Sequence, residues 1–280
     1  MFKKISGIFL YGSIFISLCA VAMCIQTNLL LYLPLNDFAF YLFVFGATLV
    51  QYNLHYIFKK TAVANSDRLA WSLKNKHVHK ILIALGLALI IYSLFSFSLQ
   101  HFIILLILGA IAFFYSFPFL PLTNKKRIKD FGLLKIITLA LLWTLVTVWF
   151  PVDGSRFSAF SFQLIFLRRF VFIFILCLLF DIRDEEIDRK ENIATLAVKL
   201  GIKKSYIFCY ILLVVFIILA VIQFIYLPDT SQLIAMLISG AVTFITINYS
   251  QKNNSDVVYL ACIDGMMLLQ ALLVIFASQL

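Results

Sequence analysis

Apolar runs of about twenty residues, parted by short polar breaks, set the pattern of this chain. Nine can be marked, at about 8–33, 37–58, 80–99, 101–120, 131–150, 158–180, 205–227, 230–250 and 256–278. A helix of that length crosses a ~30 Å hydrocarbon core, whereas a membrane barrel needs alternating ten-residue strands that these runs do not show. The breaks fall at Pro34 with Asn36 and Asp37, at Gln100-His101, at Pro118 and Pro121, at Pro151 with Asp153-Gly154, at Pro228-Asp229 and at Asn253-Asn254. The pattern predicts an all-α polytopic membrane protein of about nine transmembrane helices, a single membrane-embedded domain over residues 1–280.

Composition agrees with that reading. The chain is 63% hydrophobic and 13% charged, with a mean hydropathy of +1.03, against roughly 25% charged residues in an average soluble chain. A net charge of +10 would suit nucleic acid, yet the basic residues gather in particular loops, so the partner they imply is the lipid bilayer and no nucleic acid is expected. With the N-terminus in the cytoplasm, all 23 basic residues except Lys135, Arg156, Arg168 and Arg169 fall on the cytoplasmic side or at its boundary, as the positive-inside rule requires. An odd number of spans then puts the C-terminus on the opposite face of a bacterial-type inner membrane. Lys3 and Lys4 imitate a signal peptide, but the apolar run continues to about Leu33, longer than a signal core, and predicts a retained first helix. The five cysteines lie inside apolar runs without paired spacing and read as packed thiols.

The chemistry gathers in one stretch, Asp181 to Gly201, which opens as the sixth apolar run ends. Asp181, Asp184, Glu185 and Asp188 are spaced by 3, 1 and 3, which at ~100° per residue places all four on one helical face. Such hard oxygen ligands suit Mg²⁺ shared with a substrate phosphate. The alternative is a solvated helix end paired with Arg183, Arg189 and Lys190. Arg168 and Arg169 lie about 18 to 24 Å farther down the same helix at 1.5 Å per residue; they either line a chamber or snorkel to the outer interface. His77 and His79 read as a surface pair, Gly109 and Gly240 as close-packing positions, and Tyr52, Tyr56 and Tyr115 as rings able to stack at the mouth.

The run Asp-Ile-Arg-Asp184-x-x-x-Asp188-Arg, followed by Thr195-Leu-Ala-Val-x-Leu-Gly201, resembles the second aspartate-rich motif of the UbiA superfamily of intramembrane prenyltransferases. The resemblance implies a UbiA-like helical bundle and the transfer of a prenyl group from an isoprenoid diphosphate to an aromatic or other lipid-soluble acceptor. It implies Mg²⁺ as cofactor, held by Asp184 and Asp188 with Asp181 beside them. Tyr115-Ser116 and the following Lys125, Lys126 and Arg127 are similar to the family's diphosphate-holding segment. Asn53 stands where the first motif's asparagine is expected, completing a catalytic set with Asp184 and Asp188, but Ile57 and Thr61 replace the aspartates that should follow it. Arg68, fifteen residues beyond Asn53, matches a phosphate-binding arginine of some members, or forms a surface pair with Asp67. The degenerate first motif keeps a second expectation open: a catalytically altered homologue or carrier that binds a lipid, quinone or phosphate ligand without prenyl transfer.

Overall fold

Helix fills most of the described part of each apolar segment in a computed structural model of the chain, which describes residues 2–58, 66–116, 132–152, 154 and 159–279. The first segment is broken: α1 (Phe2–Tyr11) and α2 (Ile14–Leu30) meet at Gly12 and Ser13, the latter in the left-handed region at φ 64°. Next come α3 (Phe38–Phe58), the short α4 (Asp67–Lys74), α5 (Lys76–Leu94) and α6 (Leu99–Ser116). The turn between α5 and α6 falls at 95–98, ahead of the expected Gln100-His101, because Ser98 donates its hydroxyl toward His101 Nδ1 at 2.8 Å and starts the helix there.

The second half contains α7 (Gly132–Thr144), continued by a π-helical stretch Leu145–Trp149, then α8 (Phe160–Arg183) and the short α9 (Glu185–Lys190) and α10 (Leu196–Leu200). It closes with α11 (Ile202–Tyr226), α12 (Thr230–Ser250) and a π-helical stretch Val258–Ile263 leading into α13 (Gly265–Ala277). Among the described residues, five helical units are long and apolar enough to cross a membrane.

The exterior is that of a protein solvated by lipid. On α11, Ile207, Ile211, Val214, Ile218 and Ile225 are all exposed, while Cys209, Leu213, Phe216 and Ala220 on the opposite side are buried. A continuous exposed aliphatic stripe of this kind is unfavourable in water and neutral against acyl chains. The core runs along α8, where Phe172, Ile175, Leu178 and Leu179 are fully buried against α11 and α7.

Two arginines cross this core. Arg169 donates to Met23 O at 3.2 Å, Gln26 Oε1 at 2.7 Å and Thr27 Oγ1 at 3.3 Å, and Arg168 donates to Gln223 Oε1. Gln26 continues to Gln270, and Gln270 to Ser239, so one polar chain ties α8, α2, α13 and α12 together. Both arginines are buried rather than snorkelling. The hydrogen bonds they donate here all go to neutral acceptors, which lowers the cost of an interior charge.

The tightest helix pair is α3 with α5. A Cβ on Gly46 would lie 2.7 Å from Gly86 O, and one on Gly86 would lie 2.7 Å from Val50 Cγ2. Of the glycines expected to allow close packing, Gly240 sits against Ile217 of α11, whereas Gly109 has nothing within 4 Å. Replacement Gly86→Val should therefore destabilise the bundle by about 1 to 3 kcal/mol through overpacking, read as a lower melting temperature of the detergent-solubilised protein; Gly109→Val, as the control, should leave it unchanged.

Candidate functional site

α8 stays helical to Arg183, and Asp184 then leaves the helical path at φ −90°, ψ 5° before α9 resumes. That break corrects the expectation that four carboxylates share one helical face. Asp181 and Asp188 converge, Asp184 pairs with its neighbour Arg183 at 2.8 Å, and Glu185 pairs with Arg189 one turn on. Asn192, at φ 56°, ends α9. The Thr195 hydroxyl caps α10 by accepting from Val198 N at 3.3 Å, and Gly201 turns the chain into α11 at φ 80°. The Thr195-to-Gly201 half of the stretch is thus the device that folds the acidic half back over the bundle.

What Asp181 and Asp188 converge on is Lys135. Its ammonium lies 2.9 Å from Asp181 Oδ1 and 3.3 Å from Asp188 Oδ2. Asp181 is only 3% exposed, and its other oxygen, Oδ2, is buried with no hydrogen-bond partner. α7 reaches this position because its first residue is Gly132: a Cβ there would lie 1.6 Å from Ala194 O. No larger residue lets the helix start so close to the loop between α9 and α10. Tyr115 of α6 is within electrostatic reach of the same ammonium. Lys135 was legible only as a basic residue inside an apolar segment, a signal that marks function by default in membranes.

A second group adjoins the first. Arg183 reaches Asp256 Oδ1 at 3.3 Å and lies over the rings of Tyr259 and Phe180 at 4.7 and 5.1 Å. Asp256 also accepts from Arg68 N and Ser66 Oγ, both at 2.8 Å, so it seats the N-terminus of α4. The Arg68 guanidinium lies 4.9 Å from the centre of Tyr56 and donates to Ser13 Oγ at 3.2 Å, at the break between α1 and α2. Arg68 is thus no surface partner of Asp67 but part of the site. Asp264, in the last apolar segment, is within electrostatic reach of both Arg68 and Arg183. Asp256 and Asp264 were not foreseen, although a carboxylate inside an apolar run is itself a signal.

Asn53 stands behind this group. It is fully buried, its amide donating to Gly12 O at 3.0 Å and Leu49 O at 2.7 Å, and its oxygen meets His79 Nδ1 at 2.6 Å. His79, expected at the surface, is buried too, stacked on Tyr56. Asn53 therefore supports Arg68 indirectly, through His79 and Tyr56. Tyr52, the third ring of interest, accepts from Trp143 Nε1 at 3.1 Å. Lys125, Lys126 and Arg127 lie outside the described residues, as do Lys59, Lys60 and Thr61. An apolar groove of about 310 Å³, lined by Leu145, Trp149, Phe162, Gln163 and Phe166, lies toward the opposite end of α8.

A family model described as the UbiA prenyltransferase family matches residues 70–263. The chain belongs to that family. Among solved structures, this UbiA-family protein is similar to a digeranylgeranylglyceryl phosphate synthase at 18% identity and a TM-score of 0.58, with all of both chains covered. It is also similar to a UbiA homolog from Archaeoglobus fulgidus bound to Cd²⁺ at 13% identity and a TM-score of 0.61, over 96% of this chain and 98% of that one. No curated protein matches it. At these identities the structural likeness establishes the fold, that of a UbiA-type membrane prenyltransferase.

The residues of this UbiA-family protein do not fit a divalent ion as they stand. The position between Asp181 and Asp188 is taken by the Lys135 ammonium, Asp184 faces Arg183, and among the described residues no three His, Cys, Asp or Glu side chains converge. Burial holds Asp188 above the ordinary carboxylate range, and Lys135 opposes part of that shift. Between an unfolded value of about 3.9 and that raised value, the folded state binds a proton that the unfolded chain has released. Stability therefore rises as pH falls through this window. Asp188→Asn should leave the melting temperature at pH 7 unchanged or slightly higher and flatten its acid-side dependence; a clear drop at pH 7 would mean that the ion pair outweighs burial.

Proposed function

We propose that this protein transfers a prenyl group from an isoprenoid diphosphate to a lipophilic acceptor, with the diphosphate held at the cytoplasmic end of the bundle. The observation that carries the reading is the gathering of Asp181, Asp184 and Asp188 with Lys135, Arg183 and Arg68 at one end of an apolar UbiA-family bundle. In the proposed reaction the bond between the prenyl C1 and the diphosphate oxygen breaks, its electron pair leaves on the diphosphate, and the acceptor attacks the allylic cation and gives up a proton to the released pyrophosphate or to water. Arg68, Arg183 and the Lys125, Lys126 and Arg127 segment oppose the charge that develops on the leaving group. Fixed cations in a site closed to bulk water are worth more than the same charges in solution. The Arg68 guanidinium rests against Tyr56, and that of Arg183 against Tyr259 and Phe180. The magnesium that the family resemblance implies would have to displace Lys135 or Arg183 from the carboxylates, so no step is assigned to it.

One observation favours a second reading, ligand binding without transfer. Asn53 is wholly engaged by Gly12, Leu49 and His79, and the aspartates expected after it are Ile57 and Thr61. The two readings part on turnover. Purified protein incubated with geranyl, farnesyl and geranylgeranyl diphosphates and a panel of aromatic and lipid acceptors should release pyrophosphate. Arg68→Ala should lower that release by about 10²- to 10³-fold, the usual effect of removing one donor to a developing oxyanion. Saturable binding of the diphosphates with no release across the panel would favour the carrier.

A further inference from the structure

The acidic stretch, the paired arginines of the core and the Arg68–Asp256–Arg183 group all concentrate charge in an apolar bundle, but only the first holds a cation where the chemistry of its ligands calls for a metal. Lys135 projects from the start of α7 between two carboxylates that come from α8 and α9. Each carboxylate gives it one oxygen. Asp181 Oδ2 remains buried and unpartnered beside it, so the pair retains a hard oxygen that nothing else in the described structure uses. The position is also built: Gly132 permits a backbone approach to Ala194 that any Cβ would block, and the Asp184 break aims Asp188 back toward Asp181.

We propose that Lys135 is the resident cation of this site, a tethered ammonium in the place of a divalent ion between Asp181 and Asp188. An ammonium at 2.9 and 3.3 Å from two carboxylate oxygens offsets one of their two charges without leaving the protein. It also repels a metal ion from the same position, because like charges at contact distance exclude each other strongly in a low-dielectric site. Lys135 supplies one positive charge where a metal supplies two. The remaining counter-charge for an anionic head group then falls, among the described residues, to Arg68 and Arg183. The inference deepens the prenyl-transfer reading and rests on it for the identity of that head group, but the exclusion of metal is a property of the free protein.

The test is a titration of the free protein in detergent with Mn²⁺, followed by the loss of the unbound-ion EPR signal. Lys135→Met frees Asp181 and Asp188. It should bind Mn²⁺ at least about tenfold more tightly than wild type, a conservative bound on removing one contact-distance like charge. Mn²⁺ should raise the melting temperature of Lys135→Met and not that of wild type. Adding Asp181→Asn to Lys135→Met should abolish the gain, and Lys135→Arg should behave as wild type. Equal Mn²⁺ affinity in wild type and Lys135→Met overturns the proposal. Should Lys135→Met fail to fold, Lys135→Gln takes its place; should both fail, the wild type alone decides, tight Mn²⁺ binding overturning the proposal and its absence supporting it. A separate arm measures geranylgeranyl diphosphate binding to wild type in two samples, one with EDTA and one with Mg²⁺ and no chelator: no binding in either removes the prenyl-transfer reading, while the Mn²⁺ contrast still decides the role of Lys135.

Discussion

A charge placed in an apolar bundle must find its counter-charge inside the protein, and the end of this molecule that carries the acidic stretch is arranged around that requirement. A buried charge left with no partner at all costs about 3 to 5 kcal/mol. The Asp181–Lys135–Asp188 bridge joins α7, α8 and α9 through such contacts, and Asp256 joins α8 to α4 in the same way. Neither bridge is a surface ion pair. Each holds in place a segment that is polar in sequence and would otherwise have little apolar area with which to dock.

The middle of the bundle solves the same problem without opposite charge. Arg168 and Arg169 are both buried, and their donors reach Gln223, Gln26, Thr27 and the Met23 carbonyl. Neutral acceptors remove the desolvation penalty of the donors while leaving the net charge in place, so these arginines tie helices together and raise the electrostatic potential of the interior. The carboxylate bridges do the opposite and lower the net charge of the mouth. The proposed anionic head group with an apolar tail would face a mouth whose carboxylates Lys135 and Arg183 partly counter, above a core that holds two buried arginines on α8.

Much of this was legible in the sequence, and the parts that were not share a cause. Apolar run lengths located the helices because a membrane helix must satisfy its backbone internally, and Asp181 to Gly201 pointed to the family by its resemblance to the second aspartate-rich motif. Where spacing alone was used, it misled: the four carboxylates fall on one face only if the helix continues, and Asp184 interrupts it. Lys135, Asp256 and Asp264 lie far from the acidic stretch in sequence and belong to no local pattern, so only the packing of α7 and of the C-terminal segment brings them in. His79 was misplaced, and the surroundings of Asn53 were not legible, for the same reason. Their partners are each other, 26 residues apart, and the Gly12 carbonyl freed by a helix break that hydrophobicity does not register.

Receipt of a prenyl diphosphate at this end of the bundle is the central proposal. The most direct measurement is an experimental structure with a non-hydrolysable farnesyl thiodiphosphate bound. The diphosphate is predicted beside Arg68 and Arg183, with Lys135 still seated between Asp181 and Asp188. A diphosphate found elsewhere on the protein, for example at the opposite end of α8 beside Arg168, would contradict it.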